Sequence, residues 1–120
     1  MTEVEVRTSN LLAPLLSMLG IELAECSDDM RSKLVYIIRT AWQRLKTLLG
    51  GIEPPAELEY IVVEVAIIRF NRIGSEGIEN HSVEGESQTF TDDDFKAYSK
   101  DIQAFLERQK EGTRGRLRFI

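Results

Sequence analysis

The residues that could carry catalysis are few in this sequence. It has one histidine, His81, and one cysteine, Cys26, which lie far apart along the chain. A Cys/His nucleophile pair needs a third group to orient the base, and no neighbouring residue supplies one. The two are better interpreted as an exposed loop histidine and a small buried thiol. The sequence therefore predicts no enzyme and no cofactor.

The acidic triplet Asp92-Asp93-Asp94 could suggest a cation site. Calcium loops alternate their oxygen ligands and add a glycine and a distal glutamate, and that spacing is absent here. Helix capping by Thr91 explains the triplet better, because carboxylates in a first turn suit the helix dipole. Asp94 is then placed to return the capping-box contact. No metal site is predicted.

Length and charge narrow the class of protein. The chain has 120 residues, one cysteine and a net charge of −5, which predicts a single domain with a modest core. An acidic balance argues against free nucleic acid as a partner. A lone cysteine cannot form an internal disulfide and suits a reducing cytoplasm. Since neither a signal peptide nor an apolar run of about 20 residues is visible, we expect a soluble intracellular protein with no membrane partner.

Caps and helical spacing predict an all-α fold. Ser9 or Asn10 could cap a short helix that ends at Gly20. Ser27 is a good cap for the second helix, which should end at Gly50 and Gly51. Apolar residues recur there at helical spacing: Met30, Leu34, Ile37, Ile38, Ala41, Trp42, Leu45 and Leu49.

The central element is predicted from Pro54-Pro55 to about Arg72. Apolar residues cover nearly every side of it, as in a helix buried on several faces. Its β-branched residues would also fit a strand, but the length and the proline start favour a helix. Gly74 and Gly77 should end it, and a long Gly/Ser/Glu-rich loop or a small β-hairpin around Gly85 should follow.

A last helix from Thr91 to Gly112 completes the predicted bundle. Residues 113–120 alternate basic and apolar side chains, as does an extended peptide that adds to a partner's sheet edge or groove. We therefore predict a single domain over residues 1–120. It is a small bundle of three main helices plus a short N-terminal helix, with a flexible N-terminus over 1–8 and an extended tail over 113–120.

Charge is segregated along the chain. Ser75 to Phe95 includes acidic residues but no Lys or Arg, whereas the second helix after Met30 and the tail after Gly112 are only basic. Separated signs let copies join head to tail and close into a ring, although the same charges could serve only solubility. A regulatory helix-turn-helix or antitoxin-like DNA-binding module is the alternative, but the central helix is too apolar to lie in a groove.

The segment from Pro54 to Phe90 carries a composite pattern. Leu58-Glu59-Tyr60 opens an apolar helix, and an Arg-Phe-Asn-Arg-Ile-Gly-Ser-Glu-Gly turn follows over 69–77. A Ser-Val-Glu-Gly loop over 82–85 and the aromatic Phe90 complete it. In these features the chain resembles the head–tail connector (adaptor, head-completion) family of tailed bacteriophages and prophages. The helix and loop match closely, and the residues before them match in type.

The resemblance implies a structural virion protein of the head–tail interface that assembles in the host cytoplasm. It implies a ring, dodecameric in the virion, between the capsid portal and a tail-side stopper, with DNA only passing through the channel. It implies no catalytic residue, metal or cofactor. The portal-binding residues would be Arg114, Arg116, Leu117, Arg118, Phe119 and Ile120. The subunit-packing residues would be Gly74, Glu76, Gly77, Glu79, Val83, Glu84, Gly85 and Phe90.

Overall fold

The regular elements are all helical in the described parts of the chain. A computed structural model describes the backbone over residues 2–76 and 92–118, and the side chains over 2–73 and 93–111. Its α-helices are α1 (Glu3–Asn10), α2 (Leu12–Leu19), α3 (Asp28–Leu48), α4 (Glu59–Glu76) and α5 (Ser99–Arg118). Short 3-10 segments lie at Leu23–Glu25, Ala56–Leu58 and Asp92–Tyr98. The all-α prediction is confirmed.

The N-terminal residues form helix α1, so the prediction of a flexible segment over 1–8 is wrong. The Thr2 hydroxyl caps the helix by accepting a hydrogen bond from the Glu5 backbone N–H at 3.1 Å. Neither Ser9 nor Asn10 caps the next helix, because α1 runs almost directly into α2 through Leu11. The predicted end of α2 is confirmed, since Gly20 takes the left-handed conformation there, with φ of 72°.

Helix α3 follows its predicted boundaries. The Ser27 hydroxyl accepts a hydrogen bond from the Met30 backbone N–H at 3.1 Å, and Asp28 and Asp29 occupy the first turn. Past the other end, Gly50 and Gly51 have φ of 74° and 95°, which residues with a Cβ rarely adopt. These local signals are sufficient to set the length of the helix.

Helix α4 is longer than predicted. A 3-10 turn follows Pro55, and the α-helix then runs from Glu59 through Gly74 to Glu76. An interior glycine costs a helix only about 1 kcal/mol relative to alanine, which a well-packed helix tolerates. The strand alternative for this segment is wrong, and the hairpin considered around Gly85 lies outside the described residues.

The C-terminal region also departs from the prediction. Asp92–Tyr98 is wound as a 3-10 segment, so the α-helix begins at Ser99 and not at Thr91. It continues past Gly112 to Arg118, which makes residues 113–118 helical and not extended. The whole helix from Ser99 to Arg118 has no proline and contains several Arg, Lys, Gln and Glu residues, all good helix formers. Residues 119 and 120 are not described.

The core lies mainly between α3 and α4. Helix α2, the 3-10 segment Asp92–Tyr98 and α5 pack around it. Helix α4 turns one face inward, while Tyr60 and Ile68 each stay 38% exposed, so it is less enclosed than predicted. Because its most apolar face is in the core, it cannot serve as a DNA-recognition helix. Fully buried members include Leu15, Leu34, Ile37, Ile38, Trp42, Leu45, Leu49, Ile61, Val62 and Val65.

Candidate interaction surfaces

A buried charge cluster joins the C-terminal part of α4 to the segment that returns at residue 92. The Asp94 carboxylate accepts hydrogen bonds from Arg69 Nε at 3.1 Å and from Arg72 Nη1 at 3.2 Å. The Arg69 guanidinium carbon lies 5.5 Å from the centre of the Phe95 ring. We call Arg69, Arg72, Asp94 and Phe95 the Asp94 cluster. It places both ends of segment 77–91 at the same end of the bundle.

The structure gives Asp94 a different role from the capping-box contact that the sequence suggested. The side chains of Arg69 and Asp94 are only 2% and 4% exposed, so the carboxylate acts as a buried counter-ion. Charge-assisted hydrogen bonds to a planar guanidinium suit such a site. Arg69 and Arg72 both belong to the Arg-Phe-Asn-Arg pattern, and their spacing of three places them on one helical face. That spacing was the sequence signal for a shared partner.

Two tyrosines attach α5 to α4. The Tyr60 hydroxyl donates to the Asp101 carboxylate, and the Tyr98 hydroxyl donates to Glu64 Oε1 at 2.9 Å. The two rings meet edge to face, with centroids 6.0 Å apart. The hydrogen bond to Asp101 raises the pKa of Tyr60 to about 12. Burial, followed by the hydrogen bond to Glu64, raises the pKa of Tyr98 to about 12.

Arg7 attaches α1 to the start of α4. Its guanidinium donates to Glu59 Oε2 at 3.1 Å and to the Pro54 carbonyl, and it lies 4.6 Å from the centre of a Trp42 ring. The Trp42 indole N–H in turn donates to Glu53 Oε2 at 3.0 Å. These contacts explain how a largely polar α1 is held on the bundle.

A shallow apolar groove runs along the outer side of α2 and α4. Met18 stands 69% exposed at its edge. The charged residues that line it, Glu59 and Glu64, are both acidic. We call it the α2–α4 groove. Its apolar lining comprises Leu11, Pro14, Met18, Tyr60, Val63 and Ile67.

The outward face of α3 is mainly basic, although Asp29 lies beside Lys33 and Tyr36. Lys33, Tyr36 and Arg39 follow one another at intervals of three, and Tyr36 is 60% exposed. The other exposed basic residues of this helix are Arg31 and Arg44. Lys46, on the same helix, is half-buried and pairs with Glu53 at 2.7 Å. That hydrogen bond is the main cause of the lowered pKa of Glu53, and the Trp42 indole adds to it.

The second half of α5 extends beyond the core. Among the side chains described in this helix, Phe105 is the last buried one, and those from Glu107 to Glu111 are exposed. Arg108 nevertheless pairs with Glu57 at 3.0 Å on the surface. From Phe105 to Arg118 the helix advances about 20 Å, at 1.5 Å per residue.

The residues assigned by resemblance fall partly within the described structure. The backbone of Arg114, Arg116, Leu117 and Arg118 is in α5, and that of Gly74 and Glu76 is in the last turns of α4. Their side chains are not described. The remaining predicted residues lie outside the described ranges: Gly77, Glu79, Val83, Glu84, Gly85, Phe90, Phe119 and Ile120.

The features considered for catalysis acquire no further support. Cys26 is half-buried before the α3 cap, with Sγ 3.7 Å from the Ser27 carbonyl oxygen, while His81 falls in the undescribed segment. Among the residues that the structure describes, no three His, Cys, Asp or Glu side chains group as a metal site. None of the described helices is both long and apolar enough to cross a membrane.

Comparison with known families identifies the class of protein. The profile of the phage gp6-like head-tail connector protein family matches residues 10–105. That range runs from the end of α1 to Phe105 and includes the Asp94 cluster and the α2–α4 groove. Comparisons with curated proteins and with solved structures gave no match.

Because the family match covers most of the chain, the chain belongs to this family of phage head–tail connector proteins. It is a structural component of the phage particle and acts where head and tail are joined. The predicted portal-binding segment, residues 113–120, lies beyond the matched range.

Proposed function

We propose that this protein forms a ring between the capsid portal and a tail-side stopper, and that the ring extends the channel through which DNA passes. The family match over residues 10–105 carries the proposal. The surface supports it, because one chain presents an acidic-rimmed apolar groove and a separate basic face. Two different patches on one subunit are what a head-to-tail ring needs. Twelve copies are expected in the virion, and assembly is expected in the host cytoplasm.

The C-terminal end of α5 is the proposed portal-docking element. It extends about 20 Å beyond Phe105, and the described side chains of its exposed part do not contribute to the core. Its helical state changes the expected mode of docking from strand addition to insertion of a helix into a groove. The proposed contacts are Arg114, Arg116, Leu117, Arg118, Phe119 and Ile120.

The segment from residue 74 to residue 90 is proposed to pack between subunits. The Asp94 cluster supports this role, since it fixes the place from which the segment leaves the bundle and to which it returns. The acidic residues of the segment would then meet basic residues of the neighbouring subunit. The proposed contacts are Gly74, Glu76, Gly77, Glu79, Val83, Glu84, Gly85 and Phe90.

The decisive experiment is assembly with the portal protein encoded by the same phage genome. Electron microscopy of the mixture should show a ring of this protein stacked on the portal ring, and native mass spectrometry should count twelve copies. Deletion of residues 113–120 should abolish stacking without unfolding the bundle. The matched control is Lys100→Glu, an exposed charge change in the first turn of α5, which should leave portal binding intact.

The outcomes separate the parts of the proposal. A full-length chain that neither binds the portal nor forms a ring on it contradicts the proposed function. A ring-on-ring complex that survives the deletion of residues 113–120 contradicts only the portal-docking assignment. Glu79→Lys with Glu84→Lys should lower the yield of complete rings, and unchanged yield would contradict the packing role of segment 74–90.

A further inference from the structure

The α2–α4 groove and the outward face of α3 are complementary in shape and charge. The groove is apolar, and its charged lining residues are both glutamates, of which Glu59 is paired with Arg7 of the same chain. The α3 face presents an exposed aromatic side chain, Tyr36, between Lys33 and Arg39. An aromatic residue flanked by cations fits an apolar groove with an acidic rim, because burial supplies affinity and charge supplies orientation.

The two surfaces are separate on one subunit and share no lining residue. Helices α3 and α4 pack against one another through their buried faces, which include Ile37 on α3 and Val62 on α4. Tyr36 is 60% exposed and lines a shallow pocket with Lys33 and with Ile73 of α4, whereas Val63 and Ile67 line the α2–α4 groove. A chain therefore cannot satisfy its own groove with its own α3 face, whereas a second copy can.

We infer that a second copy of this chain occupies the groove, with Tyr36 of one subunit seated between Met18 and Tyr60 of the next. Lys33 and Arg39 then face Glu64 on the rim, since Glu59 already pairs with Arg7 of its own chain. Glu64 retains acceptor capacity, since it receives one hydrogen bond from Tyr98 and a carboxylate can accept several. The contact joins two different patches, and repetition closes a ring when the rotation allows. The inference rests on the proposed ring and specifies one of its interfaces.

Disulfide trapping tests the contact directly. In a Cys26→Ser background, the variant Met18→Cys/Tyr36→Cys is assembled on the portal and mildly oxidised. Linked chains up to a covalent ring should appear on non-reducing gels. The matched control is Leu23→Cys/Tyr36→Cys, because Leu23 is as exposed as Met18 is, at 61% against 69%, and does not line the groove. It should give at least about tenfold less cross-linked product, as two unrelated sites would.

Charge reversal gives a second readout that does not depend on cysteine geometry. Glu64→Lys should weaken ring assembly roughly tenfold, because a cation then faces Lys33 and Arg39 of the neighbour. Adding Lys33→Glu/Arg39→Glu to the same chain should recover most of that loss. Glu64→Gln, which keeps the size and a hydrogen-bond acceptor for Tyr98, should have a much smaller effect.

The results distinguish this inference from the proposed function. The inference is overturned if rings form on the portal without a Met18–Tyr36 cross-link, or if they cross-link equally through Leu23. Neither result contradicts the proposed connector ring. A Glu64→Lys variant that the compensating changes fail to rescue also overturns it. Absence of any ring with the unaltered chain overturns both.

Discussion

Arg69 and Asp94 form an ion pair at 3.1 Å inside the bundle, although they lie 25 positions apart in the sequence. The pair joins α4 to the 3-10 segment Asp92–Tyr98, which precedes α5. A buried carboxylate of this kind is stable only while its partners remain, because an uncompensated charge in a core is costly. The relationship therefore predicts how the protein responds to loss of one partner.

Replacement of Asp94 should be strongly destabilising. Asp94→Asn removes the counter-charge of buried Arg69 and should lower the free energy of unfolding by about 3 kcal/mol. Asp93→Asn changes an exposed neighbour and should stay within about 0.5 kcal/mol. Urea denaturation followed by circular dichroism measures both. Equal urea midpoints for the two variants would show that Asp94 does not hold the 3-10 segment Asp92–Tyr98 against α4.

The Arg7 contacts should require a guanidinium and not just a positive charge. Arg7→Lys keeps the charge but loses the planar group that lies on Trp42 and reaches both Glu59 and the Pro54 carbonyl. We expect a loss of about 1–2 kcal/mol in thermal or urea denaturation. Arg31→Lys, at an exposed position, is the control. If both lysine variants unfold alike, α1 is not held through Arg7.

The tyrosine pair should make stability fall at high pH. Tyr60 and Tyr98 hold their protons more tightly in the folded state, with pKa values of about 12, than in an unfolded chain, where tyrosine titrates near 10. Their contribution is complete below pH 10 and is lost as the pH rises towards 12. Stability of the wild type, Tyr60→Phe and Tyr98→Phe should be compared across that window.

Both phenylalanine variants should show a shallower loss of stability with rising pH than the wild type. Tyr36→Phe changes the tyrosine on the outward face of α3 and serves as the matched control. That variant keeps the hydrogen bonds from Tyr60 to Asp101 and from Tyr98 to Glu64. A wild-type slope in Tyr60→Phe and Tyr98→Phe would mean that the bonds to Asp101 and Glu64 do not couple to folding.

Two glycines should respond to alanine in opposite directions. Gly74 is within helix α4, so Gly74→Ala should stabilise the protein by up to about 1 kcal/mol. Gly20 has a positive φ at the end of α2, so Gly20→Ala should destabilise it by about 1 kcal/mol or more. Thermal unfolding decides the sign. A destabilising Gly74→Ala would indicate that the helix ends where the sequence first suggested.

Elements with local signals were predictable from the sequence. Ser27 and the glycines after Leu49 set the ends of α3, and its apolar spacing identified the buried face that the structure shows. Helix α1 was missed because it contributes little to the core and its sequence signal was limited to the Thr2-to-Glu5 cap. The continuation of α4 past Gly74 was missed because a glycine can end a helix or lie within it.

The long-range contacts of the site could not be predicted in the same way. Asp94 was consistent with a cap until the return path of the chain placed it against Arg69 and Arg72. The phenols of Tyr60 and Tyr98 acquire carboxylate partners only after α5 lies along α4. These relations depend on how helices dock. The family pattern over 69–77 nevertheless included both arginines that the structure shows to be paired.

The Asp94 cluster also has a consequence for the length of the connecting stretch. Because it fixes the exit and re-entry points of residues 77–91, the bundle does not depend on how many residues lie between them. Closing a longer connection costs only about 0.6 kcal/mol for each doubling of its length. We therefore expect a change in the length of this stretch to cost little free energy of folding while the scaffold is retained.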